Sequence, residues 1–150
     1  MTTPDVTMMQ HAIALAKQAE AIDEVPIGAV VFQGDEIVGE GFNRKEVSND
    51  PTAHAEMIAI ADAAQRLGRW RLQDCTLIVT LEPCPMCAGA LVNARMGRVV
   101  YGASDPKAGA CRTLYEISDD PRLNHRCEIT SGVLESECAD LLSHFFKEKR

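Results

Sequence analysis

Apolar residues at Met9, Ala12, Ile13 and Ala16 recur at helical spacing, which predicts a first helix over residues 8–21 that ends before Asp23, Glu24 and Pro26. The period then changes. Two runs at 27–32 and 36–42 flank Gln33-Gly34-Asp35, a Gly-containing three-residue link that predicts an antiparallel hairpin. A polar stretch over 43–52 gives way to an alanine-rich helix from about His54 to Leu67, stopped by Gly68. Thr76 to Leu81 is a short apolar run of β-branched character, suited to a central strand. A helix at 85–94, a strand at 98–101, a short helix at 113–117, a strand at 128–130 and a closing helix at 134–147 complete the pattern. This α-β-β-α-β-α-β-α-β-α order predicts an α/β fold: a mixed five-stranded sheet with helices on both faces, a three-layer α/β/α sandwich.

The chain has 150 residues, the size of one domain, and no repeat, linker or low-complexity segment divides it. Its apolar share of 46% and charged share of 25% are those of a globular protein that can build a core without disulfides. No run is long enough for a membrane span, and the N-terminal residues lack the pattern of a signal peptide, so the expected location is the cytoplasm, with no membrane partner. In that reducing compartment six cysteines suggest metal or thiol chemistry before disulfides.

A net charge of -7 argues against a polyanionic partner, but the charge is uneven. Residues 1–65 carry 3 basic and 11 acidic groups, residues 66–112 carry 7 and 3, and residues 113–150 carry 5 and 8. The middle third is positive, which leaves room for phosphate contact.

The chemistry concentrates at two predicted helix starts. His54-Ala55-Glu56 opens one and Pro83-Cys84-Pro85-Met86-Cys87 the next, each just after a loop or strand end, where α/β folds gather ligands and the helix dipole favours thiolates. Cys-x-x-Cys alone is equally a redox pair or half of a structural zinc site. Joined to His-x-Glu in this order, it matches the zinc-deaminase signature: His54, Cys84 and Cys87 hold one Zn²⁺ per chain, a water takes the fourth position, and Glu56 is the base. Two thiolates neutralise the ion and make it a weaker acidifier of water, so a nearby carboxylate becomes necessary. On a regular helix residues 54 and 56 would point about 200° apart, so convergence requires His54 to lie in an irregular first turn. Cys75, Cys111, Cys127 and Cys138 read as buried thiols.

With these motifs the chain resembles the bacterial tRNA-specific adenosine deaminases of the cytidine deaminase-like superfamily. The resemblance spans Glu24 to Val30, Gly41-Phe42-Asn43-Arg44, Asp50 to Glu56, Thr80 to Ala90, Val99 to Ala103, Asn124-His125-Arg126, Glu137 to Leu142 and Phe145-Phe146. It implies a cytidine deaminase-like fold, a homodimer, and hydrolytic conversion of adenosine to inosine at the wobble position of a tRNA anticodon, in bacteria usually that of an arginine tRNA. In that reading Glu56 is the proton shuttle, Asn43 orients the base, and the backbone at Ala55, Glu82 and Pro83 completes the pocket. Asn124, Arg126, Asp105, Lys107, Phe145 and Phe146 are the candidates for contact with the anticodon stem-loop. Two departures are visible: Arg112-Thr113 stands where members often carry Gly-Ser, and the basic tail is short.

Two other readings share the zinc motif. A deaminase of a free guanine- or cytosine-type base or nucleoside suits the acidic net charge, although it has no need of the basic middle third. A non-catalytic tRNA-binding paralogue is opposed by Glu56.

Overall fold

The computed structural model describes residues 2–149. Helix α1 spans Thr3–Ala21, followed by β1 (Gly28–Gln33), β2 (Glu36–Phe42), α2 (Ala55–Leu67), β3 (Thr76–Leu81), α3 (Pro85–Asn93), β4 (Arg98–Ala103), a 3₁₀ turn at Ile117–Asp119, β5 (Glu128–Thr130) and α4 (Glu135–Glu148). The strands lie in the order β2-β1-β3-β4-β5. β1 is antiparallel to both β2 and β3, whereas β3, β4 and β5 run parallel. This is the expected mixed five-stranded sheet between two helical layers.

Alternation along the strands divides the core. Val30, Ile78 and Val100 face α1 and α4, together with Met9, Ala12 and Cys138. Val31, Leu77, Val79, Val99 and Tyr101 face the other way, with Ala55, Ala59 and Ala63 of α2 and Leu91 of α3. The alanines let α2 lie close on the hairpin. Gly39 and Gly41 of β2 complete that approach, because a Cβ at either would strike the carbonyl oxygens of Ala59 and Ala55. α2 stops where Gly68 takes the left-handed conformation, as the sequence indicates.

Two expectations change. α1 begins five residues earlier than its apolar pattern, because Thr2 caps it by accepting from the Asp5 amide. The Asp5 carboxylate in turn pairs with Arg98 at 2.6 Å and fastens the helix start to β4. The short helix expected at 113–117 is instead an irregular turn, with the 3₁₀ segment displaced to Ile117–Asp119. Its amides are used elsewhere, as described below. No helix among the described residues is long and apolar enough to cross a membrane.

Candidate active site

The parallel pair β3/β4 directs the C-terminal end of β3 into α3, and the loop after β2 leads into α2. His54 is the residue just before α2 and Cys84 the residue just before α3, both with extended backbone and neither using its side chain to cap the helix. This resolves the angular conflict in His-x-Glu, since His54 stands outside the helix that carries Glu56. Cys87 follows one turn into α3 and is fully buried. The result is a three-atom cluster: His54 Nδ1 lies 3.6 Å from Cys84 Sγ and 3.5 Å from Cys87 Sγ.

Zinc fits this donor set. A tetrahedral centre with bonds of about 2.3 Å to sulfur and 2.0–2.1 Å to nitrogen has N···S edges of about 3.5–3.6 Å. The two edges found match, and all three ligand atoms lie within 4.8 Å of one another. The thiols are already polarised. Donation from the Cys87 sulfhydryl, then from His54, draws Cys84 down to about 4 against its burial. The same contact with Cys84, together with burial, holds Cys87 up.

Glu56 sits in the first turn of α2 at 4% exposure. Burial drives its carboxyl up to about 7, helped by the negative Cys84 and opposed by its own backbone amide, the His54 charge and a contact with Cys87. A cavity of about 230 Å³ opens beside it, lined by Glu24, Val25, Ile27, Asn43, Lys45, His54, Ala55 and Glu56 among others. That is below the roughly 300–1,000 Å³ of sites for drug-sized ligands and suits a single base. Asn43, buried, is held by two bonds: Nδ2 donates to the Val25 carbonyl at 3.2 Å and Oδ1 accepts from the Lys45 amide at 3.1 Å. One amide hydrogen and one lone pair remain for a ligand.

Next to this cavity, and sharing Val25 with it, is a larger one of about 750 Å³ lined by Leu81, Ser104, Asp105, Lys107, Phe146 and Lys147 among others. The structure thus places Asp105, Lys107 and Phe146 in a cavity that meets the one beside Glu56 at Val25. Phe145 is not there: it is buried and packs edge-to-face on Phe146 at 5.4 Å. Asn124 and Arg126 are also elsewhere within one chain. They precede β5, whose first residue Glu128 pairs with Arg98 at the start of β4, the end of the sheet opposite the cluster. Arg126 is engaged with Asp119 at 2.9 Å.

Glu82 has a different task from the one its position suggests. Its buried carboxylate accepts from the amides of Asp105, Cys111, Arg112 and Thr113 at 2.9–3.1 Å, and from the Thr113 hydroxyl. Burial alone would raise its pKa, but these donors outweigh it and hold the carboxyl below its usual value. The amide of Glu82 itself donates to Ala103, and the Pro83 carbonyl accepts from Ala110. The Glu82 side chain therefore shapes the loop, and neither Glu82 nor Pro83 is among the residues lining the cavity beside Glu56.

Sequence reasoning assigned no role to Glu24. It is 1% exposed and accepts from the Glu46 and Val47 amides at 3.1 and 2.8 Å, fixing the loop on the other side of the cavity. The only signal was a carboxylate beside Val25-Pro26. Burial pushes the thiols of Cys75 and Cys111 up to about 11 and 12, and those of Cys127 and Cys138 to about 12.

An α/β/α sandwich in which a His-x-Glu and a Pro-Cys-x-x-Cys motif open two converging helices defines a deaminase of the cytidine deaminase-like class, with a His/Cys/Cys cluster compatible with zinc. The sequence model of the MafB19-like deaminases matches residues 4–150. The tRNA-specific adenosine deaminase of Bacillus subtilis is 51% identical over 148 residues, covering 99% of this chain and 92% of that protein. A solved structure from work on A-to-I editing by tRNA:A34 deaminases at the wobble position of transfer RNA superposes with a TM-score of 0.87 at 43% identity, covering 91% of this chain and 99% of that one. The guanine deaminase of Bacillus subtilis is also similar, with TM-score 0.64 and 42% identity over 69% of this chain and 66% of that one. The chain belongs to the MafB19-like deaminase family and, within it, to the family of the tRNA-specific adenosine deaminases.

Proposed function

We propose that this protein is a hydrolytic deaminase that converts adenosine to inosine at the wobble position of a tRNA anticodon, of an arginine tRNA in particular, and that residues 1–150 form one zinc-dependent domain. The convergence of His54 Nδ1 with two cysteine sulfurs at 3.5–3.6 Å beside the buried Glu56 carries the chemistry. Identity of 51% over nearly the whole chain carries the substrate.

His54, Cys84 and Cys87 hold the ion, which when bound supplies the Lewis acidity that makes water a nucleophile near neutral pH. Everything else falls to the chain. Asn43 and the walls of the 230 Å³ cavity orient the extruded base and exclude bulk water. Glu56 takes a proton from the attacking water and passes it to N1 of the purine. It then moves the second proton to the amino group at C6, the C–N bond breaks, and ammonia leaves with inosine in the RNA. Asp105, Lys107, Phe146 and Lys147 surround the adjoining cavity, where the flanking nucleotides are held.

A homodimer and a cytoplasmic location belong to the same reading. The exposed Met86, Leu114 and Tyr115 on α3 and the loop after β4 support the first. Six free cysteines support the second. Light scattering at micromolar concentration is expected to return twice the chain mass.

The rival is a deaminase of a free base. The likeness to a guanine deaminase and a cavity only large enough for a base favour it. Assaying ammonia and inosine from the purified protein with tRNAs, an isolated anticodon stem-loop, free adenosine and guanine separates them. Turnover confined to RNA is expected.

A further inference from the structure

Residues 44–53 carry the chain from Asn43, just after β2, to His54 and Glu56 at the start of α2. This one loop therefore sets how the base-orienting side chain stands relative to the groups that do the chemistry. Its hydrogen bonds are mostly internal: the Arg44 amide donates to the Ala53 carbonyl, the Asp50 amide to that of Lys45, and the Thr52 amide and hydroxyl both reach the Asp50 carboxylate. Among the described residues, the hydrogen bonds of 44–53 that leave the segment 43–54 go to a single side chain. The Glu46 amide donates to Glu24 Oε1 at 3.1 Å and the Val47 amide to Glu24 Oε2 at 2.8 Å.

Stability alone does not explain this tether. Glu46 is exposed and Val47 is 55% exposed, so water could serve their amides, whereas Glu24 is buried to 1% exposure. Taking a carboxylate out of water to hold two amides of an exposed turn costs stability and gains position. The position gained is that of Asn43. Val25, next to Glu24, supplies the carbonyl that accepts from Asn43 Nδ2 at 3.2 Å, and Lys45, next to Glu46, supplies the amide that donates to Asn43 Oδ1 at 3.1 Å. Together these two contacts fix which end of the carboxamide is donor and which is acceptor. If the turn moves outward the Lys45 amide leaves with it, and the carboxamide is free to flip and present the inverse pattern to a base.

We propose that Glu24 is a positioning residue of the deamination: by tying the 44–47 turn to the link between α1 and β1, it holds the Asn43 carboxamide in one orientation against the base while Glu56 moves the protons. The proposal rests on the deaminase reading above and deepens it. Glu24 lines the cavity, but each of its carboxylate oxygens is already engaged by an amide, so it acts through Asn43.

The test is a double-mutant cycle on kcat and KM with wild type, Glu24→Gln, Asn43→Ala and the double variant, each zinc-loaded, on an anticodon stem-loop carrying the wobble adenosine. Gln keeps the length of the side chain and one acceptor oxygen but turns an N–H toward the second amide, which loosens the turn. In the wild-type background Glu24→Gln is expected to lower kcat about 10- to 10²-fold, the scale of a misplacement of up to about 1 Å, with KM little changed because the flanking nucleotides carry the binding. In the Asn43→Ala background the same change should cost less than about twofold, since two residues that act through one contact are not additive. Glu24→Ala, which removes both acceptors, should repeat this pattern with a larger loss, and zinc content and melting temperature are measured on every variant. If Glu24→Ala does not fold, Glu24→Gln decides. Unchanged kcat at normal zinc content, a loss confined to KM, or an equal loss of kcat in both Asn43 backgrounds would each overturn the proposal. Wild type that is inactive on the stem-loop but active on a free base would instead defeat the substrate reading, and the same cycle run on that base would still decide the role of Glu24.

Discussion

The start of α2 and the turn after β3 each bury one glutamate, and the fold treats them in opposite ways. Glu82, 2% exposed, is given four backbone amides and a hydroxyl, and its carboxyl is held below its usual value. Glu56, 4% exposed, is given little besides the His54/Cys84/Cys87 cluster, and burial drives its carboxyl up to about 7. A buried carboxylate saturated with donors has no capacity left for chemistry and becomes a clamp. One left short of donors exchanges protons readily and becomes a reagent. Glu24 falls with Glu82: each fixes a loop as an acceptor whose donors are mostly main-chain amides.

Replacing Glu56 with Ala is expected to lower turnover about 10²- to 10⁴-fold or more while leaving zinc content and fold in place. Single-turnover kinetics with metal analysis checks this, and near-normal turnover would mean that another group carries the proton. Glu82→Ala should act mainly on stability. Each buried donor left without a partner costs roughly 1–3 kcal/mol, so even with water replacing some bonds the loss should reach about 3 kcal/mol. At about 2–4 °C per kcal/mol for a chain of this size, melting should fall by about 6–12 °C. Its effect on RNA should appear in KM before kcat, because the 105–113 loop positions Asp105 and Lys107.

Glutamine at the two sites should shift melting in opposite directions. Glu82 has a depressed carboxyl, so its stabilisation is complete above the unfolded value near 4.5 and is lost as pH falls through the lower folded one. Glu82→Gln should therefore lower melting at neutral pH and flatten the acid side of the profile. Glu56 has a raised carboxyl: the folded protein keeps a proton that the unfolded chain releases between 4.5 and about 7, so stability falls as pH rises through that window. Glu56→Gln, compared with wild type as metal-free proteins, should raise melting by a few degrees at pH 8 and change nothing at pH 4. Shifts of the same sign would break the contrast. Thr113→Val, which removes one hydroxyl donor from Glu82, should cost about 1.5–3 kcal/mol, the range for a hydrogen bond to a charged group, with turnover unchanged.

Which of these features the sequence announces follows from their range. Cys84, Cys87, His54 and Glu56 are legible because each motif is local and opens a helix, so spacing alone nearly sets the geometry. The central strands are legible from their apolar runs. Glu82 is not, because its partners are backbone amides 23 to 31 residues away, and an amide has no letter in the sequence. The turn at 111–117 was missed for the same reason: local pattern favoured a helix, but Glu82 captures the amides of Cys111, Arg112 and Thr113. The earlier start of α1 was available in Thr2-x-x-Asp5, a capping pattern outweighed by the later apolar spacing. Asn124 and Arg126 had a chemical motive but no address. Strand order decides which end of the sheet they occupy, and strand order is a property of tertiary packing.

The most direct test is to incubate the zinc-loaded protein and its Glu56→Ala variant with an arginine tRNA carrying a wobble adenosine, measuring inosine at that position and ammonia released. Wild type is expected to release one ammonia per inosine formed, at that position alone, and the variant almost none. Ammonia from free adenosine or guanine with no inosine in the tRNA would contradict the assignment.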